Sequence, residues 1–374
     1  MRGLTRFLLR GVVALAGIAA LSVMGVLIYL QHPLFGALPN GARQARIENS
    51  PNYADGTFRN QIDTPMKTTD QPEWSMWAET ILGKKGQPRP VAAVPAVKTD
   101  LKALDPAQDL VVWLGHSSYF VQLGGRRILI DPVFSTNASP VPMTNRAFDG
   151  SSRYQAEDMP DIDVLLISHD HYDHLDYPSI RALQPKVKQV ITGLGVGGHF
   201  ERWGYDIALV HEADWYDTLH LAPLTVHVVP ARHFSGRTFK RDQSLWVGFA
   251  LVSPKRRLFF SGDSGYAPHF AEVGRRLGPF DWVSLDMGQY DPRWANVHMN
   301  PEQAAQAAED LKAEALTPGH AGRFSLSPHD WDDPFKRITT ASKGRRYALW
   351  TPEIGRPIHL DGRKQDFSAW WESR

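Results

Sequence analysis

Cysteine is absent from all 374 residues of this sequence. Disulfide bonds, thiolate zinc sites and cysteine nucleophiles are therefore excluded, while the redox compartment stays open. An excess of positive charge is also lacking, because 41 Lys and Arg residues stand against 40 Asp and Glu residues, for a formal net charge of +1. Without a basic stripe, the composition argues against nucleic acid as a partner.

A long uncharged run stands near the N-terminus. Gly11 to Leu30 is rich in Val, Ala, Leu, Ile and Gly and is long enough to span a bilayer as a helix. Arg2, Arg6 and Arg10 precede the run and no acidic residue does, which favours a cytoplasmic N-terminus. A cleaved signal peptide is the alternative, but its apolar region is normally shorter and no clear A-x-A site follows. We therefore expect residues 1–30 to be a single-pass membrane anchor, with the body of the protein outside the cytoplasm, as in a periplasmic location.

The next segment is poor in periodic apolar runs. Residues 31–109 are rich in Pro, Gly, Asn and Asp and are predicted to form a connector and N-terminal extension. The exception is 73–82, EWSMWAETIL, where apolar residues lie at helical spacing. This pattern predicts a short helix, which either packs on the body or lies on the membrane. Packing is favoured, because the apolar faces of helices are usually buried.

The body is predicted to begin near Leu110 and to comprise residues 110–374. The strand-like runs LVVWLG, SSYFVQL and RILIDP come first, with Gly124-Gly125 as a hairpin signal. Later strand-like runs, among them DVLLIS, LTVHVV and DWVSLDM, alternate with helical patterns such as YPSIRALQ and PEQAAQAAEDLKA. A meander followed by this alternation predicts two sheets with helices outside them, in the α/β (α+β) class.

Four possible metal ligands stand within six positions at the end of a predicted buried strand. In the segment LLISHDHYDHLD they are His169, His171, Asp173 and His174. A loop can turn alternate side chains to two sides, so one segment can serve two ions. Imidazole and carboxylate ligands suit zinc, with iron or manganese possible. A polar surface loop is the alternative, and the strand end and the density of ligands argue against it.

The HxHxDH pattern after a strand resembles the signature of the metallo-β-lactamase superfamily, and the rest of that set follows in order. His233 lies in VVPARHFSGR, Asp263 in FFSGDSGY and His320 in LTPGHAGRF. The resemblance implies an αββα four-layer sandwich that binds two metal ions, with two Zn2+ as the default. It also implies two sets of ligands that share Asp263 as a bridge: His169, His171 and His233 for one ion, and Asp173, His174 and His320 for the other.

Longer segments resemble the N-acylphosphatidylethanolamine-hydrolysing phospholipase D family. They are WLGHSSYFVQLGGRRILIDPVFSTNASP, SHDHYDHLDYPSI, GDSGYAPHFAEVGRRLGPFDW and YDPRWANVHMNPEQA. YDPRW followed by HMNPEQA is more specific than HxHxDH, which glyoxalases, lactonases and nucleases share. The resemblance implies hydrolysis of a phosphodiester in a phospholipid headgroup by a bacterial membrane-anchored relative. We therefore expect a lipid or small-molecule substrate, and the oligomeric state stays open.

This chemistry suggests roles for five residues. Asp263 would orient the attacking water between the two metals, and His298 is the candidate proton donor for the leaving alkoxide. A structural histidine at a helix start is the alternative for His298. Asp131, at the end of RILID, is expected to bond a metal-binding histidine, unless it is a plain turn residue. Tyr290 and Arg293 are expected to contact the phosphate, although the arginine could equally form a structural ion pair.

Other functions were weighed against this one. A different hydrolase on the same metals, such as a lactonase, is the first alternative, and a non-catalytic metal-binding membrane protein is the second. A loss of ligands would indicate the second, and the expected set is complete. The spacing of Gly193, Gly195 and Gly198 after KQVIT is that of a dinucleotide-binding fingerprint. However, it lies between metal-ligand segments instead of opening a βαβ domain, so nucleotide binding is not expected.

Overall fold

The protein is described by a computed structural model that covers residues 2–72, 74, 75, 78 and 86–372. The helix predicted over 73–82 falls largely outside these residues and stays a prediction. The helices, in chain order, are α1 Arg2–Tyr29, α2 Gly41–Glu48, α3 Tyr177–Leu183, α4 Gly197–Arg202, α5 His269–Arg276, α6 Pro301–Asp310 and α7 Asp333–Ala341.

Sixteen strands are present in the described residues. They are β1 Tyr53–Ala54, β2 Thr57–Phe58, β3 Leu110–Gly115, β4 Ser118–Leu123, β5 Arg126–Ile130, β6 Val164–Ile167, β7 Val190–Gly193, β8 Val210–Ala213, β9 Thr218–Leu221, β10 Leu224–Pro230, β11 Val247–Val252, β12 Arg257–Phe260, β13 Trp282–Asp286, β14 Ala315–Gly319, β15 Ala348–Leu349 and β16 Pro357–His359.

Apart from the β1–β2 hairpin, the strands form two seven-stranded sheets. The first has the order β16-β3-β4-β5-β6-β7-β8, and the second has the order β15-β14-β13-β12-β11-β10-β9. In each sheet an antiparallel part continues into a parallel part, from β5 to β8 in the first and from β12 to β15 in the second. Parallel strands need crossover connections, which explains why helices follow the early hairpins.

The core has two layers, and alternate side chains of one strand point into different layers. On β3, Val111 and Trp113 belong to a large apolar cluster that also contains the second sheet and α6. Leu110, Val112 and Leu114 from the same strand belong to another cluster, which contains residues of α3 and α4. The first sheet is therefore buried on both faces, between the second sheet on one side and helices on the other. This is the predicted sandwich of two sheets with outer helices.

The parallel strands bring the polar loops to one edge of the sandwich. The segments that follow β5, β6, β12, β13 and β14 all leave the carboxyl ends of parallel strands. Ligand sites in α/β sheets typically form at this edge. The two sheets are joined there by an isolated bridge between His116 and Ala321. In that bridge the His116 amide donates to Ala321 O, and the His320 amide donates to His116 O, both over 3.2 Å.

Candidate metal centre

The HxHxDH motif lies in a tight loop between β6 and α3. The loop ends at Asp176, whose carboxylate caps α3 by accepting a hydrogen bond from the Ser179 amide. Pro178 in the first turn suits the helix start, because proline has no amide proton to leave unpaired there. A buried strand on one side and a capped helix on the other thus fix both ends of the loop.

The first predicted set of ligands comes together around Asp263. His169 Nε2 lies 2.9 Å from His171 Nδ1, and His233 Nε2 lies 3.3 Å from the same atom. Asp263 Oδ2 is 3.7 Å from His169 Nε2 and from His233 Nε2. Tetrahedral ligands that bind zinc at about 2.0–2.1 Å are about 3.3 Å from one another, so the spacing suits a metal ion.

The second predicted set lies beside the first and shares the same carboxylate. His174 Nε2 is 3.1 Å from Asp263 Oδ2 and 3.6 Å from Asp173 Oδ2. His320 Nε2 is 3.9 Å from Asp173 Oδ2. All seven predicted ligands therefore meet in two adjacent groups, with Asp263 between them. Their role as metal ligands stays a prediction.

Two orphaned polar atoms support the fit of a metal. Within the described part of the chain, His174 Nε2 and Asp263 Oδ1 are buried and form no hydrogen bond of regular geometry. Their near neighbours are other predicted ligands, at 3.1 Å between His174 Nε2 and Asp263 Oδ2 and 3.0 Å between Asp263 Oδ1 and His320 Nδ1. Buried polar groups are normally paired, because an unpaired one costs about 1–3 kcal/mol. Both atoms belong to the predicted ligand set, and a bound cation satisfies such lone pairs without a proton donor.

The electrostatics of the site favour neutral imidazoles beside a positive charge. Burial, followed by the neighbouring histidines, lowers the pKa of His169 and His320 well below the ordinary value. Neutral imidazole is the form that binds metals. Burial opposes the cation of His174, but the carboxylates of Asp263 and Asp173 outweigh it and raise its pKa well above the ordinary value. The two carboxylates therefore favour a cation at this position, which a divalent metal supplies.

Hydrogen bonds behind the ligands fix how the rings point. His174 Nδ1 lies 2.8 Å from Asp131 Oδ2, as predicted for a residue that supports a metal-binding histidine. Asp131 also accepts hydrogen bonds from the amide and the hydroxyl of Ser168. On the other side, His233 Nδ1 lies 2.9 Å from Val297 O. Each ring thus uses its outer nitrogen on the protein and presents the other one to the site.

The N-terminal extension also holds His233. The Asn60 side chain donates to His233 O over 2.8 Å and accepts from the His233 amide over 3.1 Å. Trp246 Nε1 donates to the same Asn60 oxygen. The extension is therefore part of the structure that positions a predicted ligand, which its composition did not indicate.

His298 lies on the wall of the site, immediately before α6. Its Nδ1 is 2.8 Å from Asp286 Oδ2, and its ring stacks on that of His320, with centroids 5.1 Å apart. Burial opposes the cation of His298, but the Asp286 carboxylate outweighs it and raises the pKa. The start of α6 is fixed by a capping box, in which Asn300 and Gln303 bond each other's backbone. The histidine is therefore held in one orientation.

Five of the residues described above line a cavity of about 480 Å³. His171, Asp173, Asp263, His298 and His320 line it from the metal side. The other lining residues are mostly apolar, and they are Met66, Lys67, Phe234, Gln289, Arg293, Trp294, Val297 and Leu326. A polar floor under apolar walls is typical of sites that bind amphipathic ligands.

The two predicted phosphate-binding residues differ in placement. Arg293 lines the cavity, where its Nε and Nη2 atoms pair with both oxygens of Asp291 over 2.7 and 2.8 Å. Tyr290 is not among the residues that line the cavity, and its role in binding the phosphate stays a prediction. Its hydroxyl bonds to Asp333 at the start of α7, and its ring stacks on His329. Exposed Lys67, in the N-terminal extension, is a second cation on the cavity wall.

Sequence reasoning placed His116 near the site without a role and missed Asp286. His116 Nε2 lies 2.8 Å from Asp173 Oδ2, and the His116 ring packs 4.1 Å from that of His320. Asp286 ends β13 and holds His298. The signal for Asp286 was its position, because Asp131 and Asp263 likewise follow strands. His116 received no role because a single histidine after a strand is usually structural.

The glycine-rich segment after β7 is used internally. The amides of Gly195 and Gly197 donate to Glu212 Oε1 over 2.7 and 3.2 Å. Glu212 is paired in turn with Arg43 of α2 over 2.6 Å. A side-chain carboxylate therefore occupies the amides that a nucleotide phosphate would need, in agreement with the expectation that no nucleotide binds there.

Comparison with known proteins places this geometry in context. The profile of a family described as a beta-lactamase superfamily domain matches residues 126–321. An uncharacterized protein of Mycobacterium tuberculosis is 35% identical over 362 residues, which cover 95% of this chain and 97% of that protein. The N-acyl-phosphatidylethanolamine-hydrolyzing phospholipase D 1 of Caenorhabditis elegans is 31% identical over 238 residues, which cover 59% of this chain and 65% of that protein.

A solved structure shares the fold. The crystal structure of a possible metal-dependent hydrolase from Veillonella parvula superposes with a TM-score of 0.54 at 13% identity, and the match covers 68% of this chain and 100% of that one. At this identity the match shows the architecture only.

Proposed function

Because this chain belongs to the metallo-β-lactamase superfamily and is a metal-dependent hydrolase of that fold, we propose that it hydrolyses a phosphodiester bond in a phospholipid headgroup. Water would add to phosphorus, the bond to the headgroup alcohol would break, and the products would be a phosphatidate and that alcohol. The observation that carries the proposal is the cavity, which places His298 and apolar side chains beside two adjacent groups of possible metal ligands.

The site residues divide the work among them. When bound, two divalent ions supply a water of lowered pKa and stabilise negative charge on the reacting phosphate. Zinc is the default, with iron or manganese possible, since imidazole and carboxylate suit all three. Asp263 lies between the ligand sets and would orient the attacking water. His298, held by Asp286, would give its proton to the departing alkoxide, and Lys67 and Arg293 would attract the phosphate.

The N-terminal helix supports a lipid substrate. α1 contains one stretch, Thr5–Tyr29, that is long and apolar enough to cross a membrane, and none of it is buried against the body. At about 1.5 Å per residue, these 25 residues extend about 37 Å, which exceeds the roughly 30 Å hydrocarbon core. We propose that α1 anchors the enzyme beside its substrate, with the body on the periplasmic side.

A metal analysis and a substrate panel test the proposed activity. The full-length protein in detergent should contain about two metal ions per chain. It should release phosphatidate from vesicles of N-acylphosphatidylethanolamine, phosphatidylethanolamine or phosphatidylcholine. Hydrolysis of lactones or β-lactams with no release from any phospholipid would contradict the proposal. No hydrolysis by the metal-loaded protein would favour a binding protein.

Variants connect the activity to the site. Asp173→Ala should lower the metal content from about two ions towards one, because Asp173 belongs to one ligand set only. Phosphatidate release should fall with it. His227→Ala is the matched control, since His227 lies on β10, where its Nδ1 bonds Thr218, and it does not line the cavity. Equal metal content in both variants would contradict the assignment of Asp173.

A further inference from the structure

The end of α1 rests directly on the body, without a free linker. Three backbone oxygens just after the helix accept hydrogen bonds from body side chains: Gln31 O from Arg202, Pro33 O from Trp203 and Leu34 O from Arg237, over 2.7–2.8 Å. The Ala37 amide donates to His199 Nδ1. A helix held in this way fixes the orientation of the body relative to any membrane that the helix crosses.

Two loops beside this attachment carry exposed apolar side chains. The Tyr29 hydroxyl at the end of α1 bonds to Pro140 O. Val141 and Met143, close to Pro140 in the chain, are 52% and 81% exposed. Large apolar side chains that protrude from loops beside a membrane helix have an evident partner in the lipid.

The second loop adjoins the segment that follows the helix. Arg237, which binds Leu34 O, begins a loop in which Phe239 is 86% exposed and Lys240 follows it. A protruding aromatic residue beside a cation suits the boundary between acyl chains and anionic headgroups. Both loops thus have tips of the kind that enters a bilayer surface. The first loop adjoins the last turn of α1 at Tyr29, and the second adjoins the segment after α1 at Leu34.

Each of these loops also adjoins the metal cavity or the groove beside it. Met143 lines a groove that shares Arg293, Trp294 and Leu326 with the metal cavity. On the other loop, the Arg241 guanidinium lies 4.4 Å above the ring of Phe234, which lines the metal cavity itself. The groove therefore reaches the first loop at Met143, and the second loop packs through Arg241 on a residue of the cavity wall.

We propose that the entrance of the metal cavity faces the bilayer that α1 crosses, with the tips at Val141, Met143 and Phe239 seated among the lipid headgroups. A lipid then reaches the metals by moving out of the bilayer between the two loops, without passing through water. The proposal rests on the anchoring role of α1 and goes further, because it fixes which face of the body touches the membrane.

The absence of native cysteine allows a direct test with one label per molecule. Full-length Met143→Cys and Phe239→Cys, labelled with the fluorophore NBD, are reconstituted into vesicles of phosphatidylcholine and phosphatidylglycerol. Lys255→Cys is the matched control, since Lys255 is exposed in the turn before β12, at the end of the sheet opposite to Asp263. We expect a blue-shifted emission and quenching by spin-labelled lipid at positions 143 and 239, but not at 255.

The outcomes separate the inference from its premises. Labels at 143 and 239 that behave like the label at 255, in protein that floats with the vesicles, would overturn the membrane-facing cavity and leave the anchor intact. Protein that does not float with vesicles would overturn both. Because the readout needs no turnover, an unidentified substrate does not affect it.

A kinetic test uses residues outside the cavity and its groove. Val141→Glu with Phe239→Glu should raise KM for the proposed phospholipid substrate in vesicles by roughly tenfold, from the lost burial of apolar side chains in lipid. The variant should hydrolyse a short-chain, water-soluble phosphodiester like the wild type. Val141→Leu with Phe239→Leu should restore the vesicle KM. Equal losses on both substrates, or no loss on vesicles, would contradict the proposal.

Discussion

His298 lies on the wall of the cavity and pairs with Asp286, and each predicted metal set is complete without either residue. The His298 ring adjoins His233 and His320, so a purely structural role is a real alternative. A proton donor and a structural residue differ in their dependence on the leaving group. A good leaving group needs little protonation, whereas structural damage lowers the rate for every substrate.

We expect His298→Ala to keep the metal content and to lower kcat for phospholipid by about a hundredfold to ten-thousandfold, the usual range for acid catalysis. The loss should shrink for nitrophenyl phosphodiesters. Metal analysis and kinetics on both substrates check this, with His227→Ala as control. A similar loss in kcat/KM on both substrates, carried by KM, would indicate ground-state binding instead.

At this scale the sequence predicted which residues gather but not everything that holds them. Six of the seven predicted ligands follow strands of the parallel parts, which bring such positions to one edge. His233 follows the antiparallel strand β10, which reaches the same edge because it runs in the same direction as β12. His116 depends on a contact that no local pattern encodes, the bridge from its own backbone to Ala321 in the other sheet. Its φ of +55°, like the +57° of His320, lies in a region that residues other than glycine rarely adopt. The contact of the Tyr290 hydroxyl with Asp333 was not predictable either, because Asp333 begins a helix that sequence patterns did not predict.

Among the strands that have a neighbour on each side, β14 was the one that the sequence did not predict. Its sequence, ALTPG, contains Pro318, which cannot donate to a ladder and argues against a strand. The structure tolerates it because β15 pairs only with Ala315 and Leu316, so that Pro318 has a sheet neighbour on one side only. The longer runs were predictable because their side chains are buried on both faces, and β15 and β16 were too short to show a pattern.

His320, just after the end of β14, explains why residue 288 is a glycine. A β-carbon on Gly288 would lie 1.8 Å from the carbonyl oxygen of His320, which is far too close for two atoms that are not bonded. Gly288→Ala should therefore displace His320 and lower the metal content from about two ions towards one, with the fold retained. Metal analysis and circular dichroism check both parts. Gly17→Ala, in open space on α1, is the control, and an unchanged metal content in Gly288→Ala would count against His320 as a ligand.

A buried histidine at the start of α5, His269, should make the stability of the fold sensitive to acid. Burial, followed by the charge of Arg232, lowers the pKa of His269 to about 3. The unfolded chain therefore takes up this proton first, and stability is lost as the pH falls from the unfolded pKa of about 6.5 towards 3. The cost is about 1.4 kcal/mol per pH unit, or about 2 kcal/mol at pH 5.

His269→Gln should flatten this dependence. Urea unfolding of the wild type and the variant at pH 7.5 and pH 5 should show a smaller loss for the variant. A loss of the same size in both proteins would show that His269 does not set the acid sensitivity.

At the scale of the whole molecule, we predict the orientation of the protein in the membrane. Arg2, Arg6 and Arg10 precede the apolar stretch, so the N-terminus should stay in the cytoplasm and the body should be exported. Alkaline phosphatase fused after Arg374 should be active in bacterial cells, whereas green fluorescent protein fused there through the general export route should not fluoresce. The opposite pair of results would reverse the orientation, and a mature N-terminus beyond Leu30 would show cleavage.

At this scale the class of fold was predictable, while the part played by residues 31–109 was not. Two sheets with outer helices follow from the order of strand and helix patterns, and the structure and the comparisons confirm them. The extension makes its contacts far along the chain, as between Asn60 and His233, which are 173 positions apart. A segment without periodicity shows no such partner in its own sequence, so its composition indicated only a connector.

The hydrogen bonds between Asn60 and His233 limit where the sequence of this protein can be recombined with that of a relative. A chimera that joins a foreign leader to the body at residue 110 would discard a residue that holds a predicted ligand, although the family profile begins only at 126. A workable crossover must lie upstream of the attachment at 31–37 and bring the whole extension along. In recombination between relatives, residues 31–109 should therefore travel with the hydrolase and not with the leader.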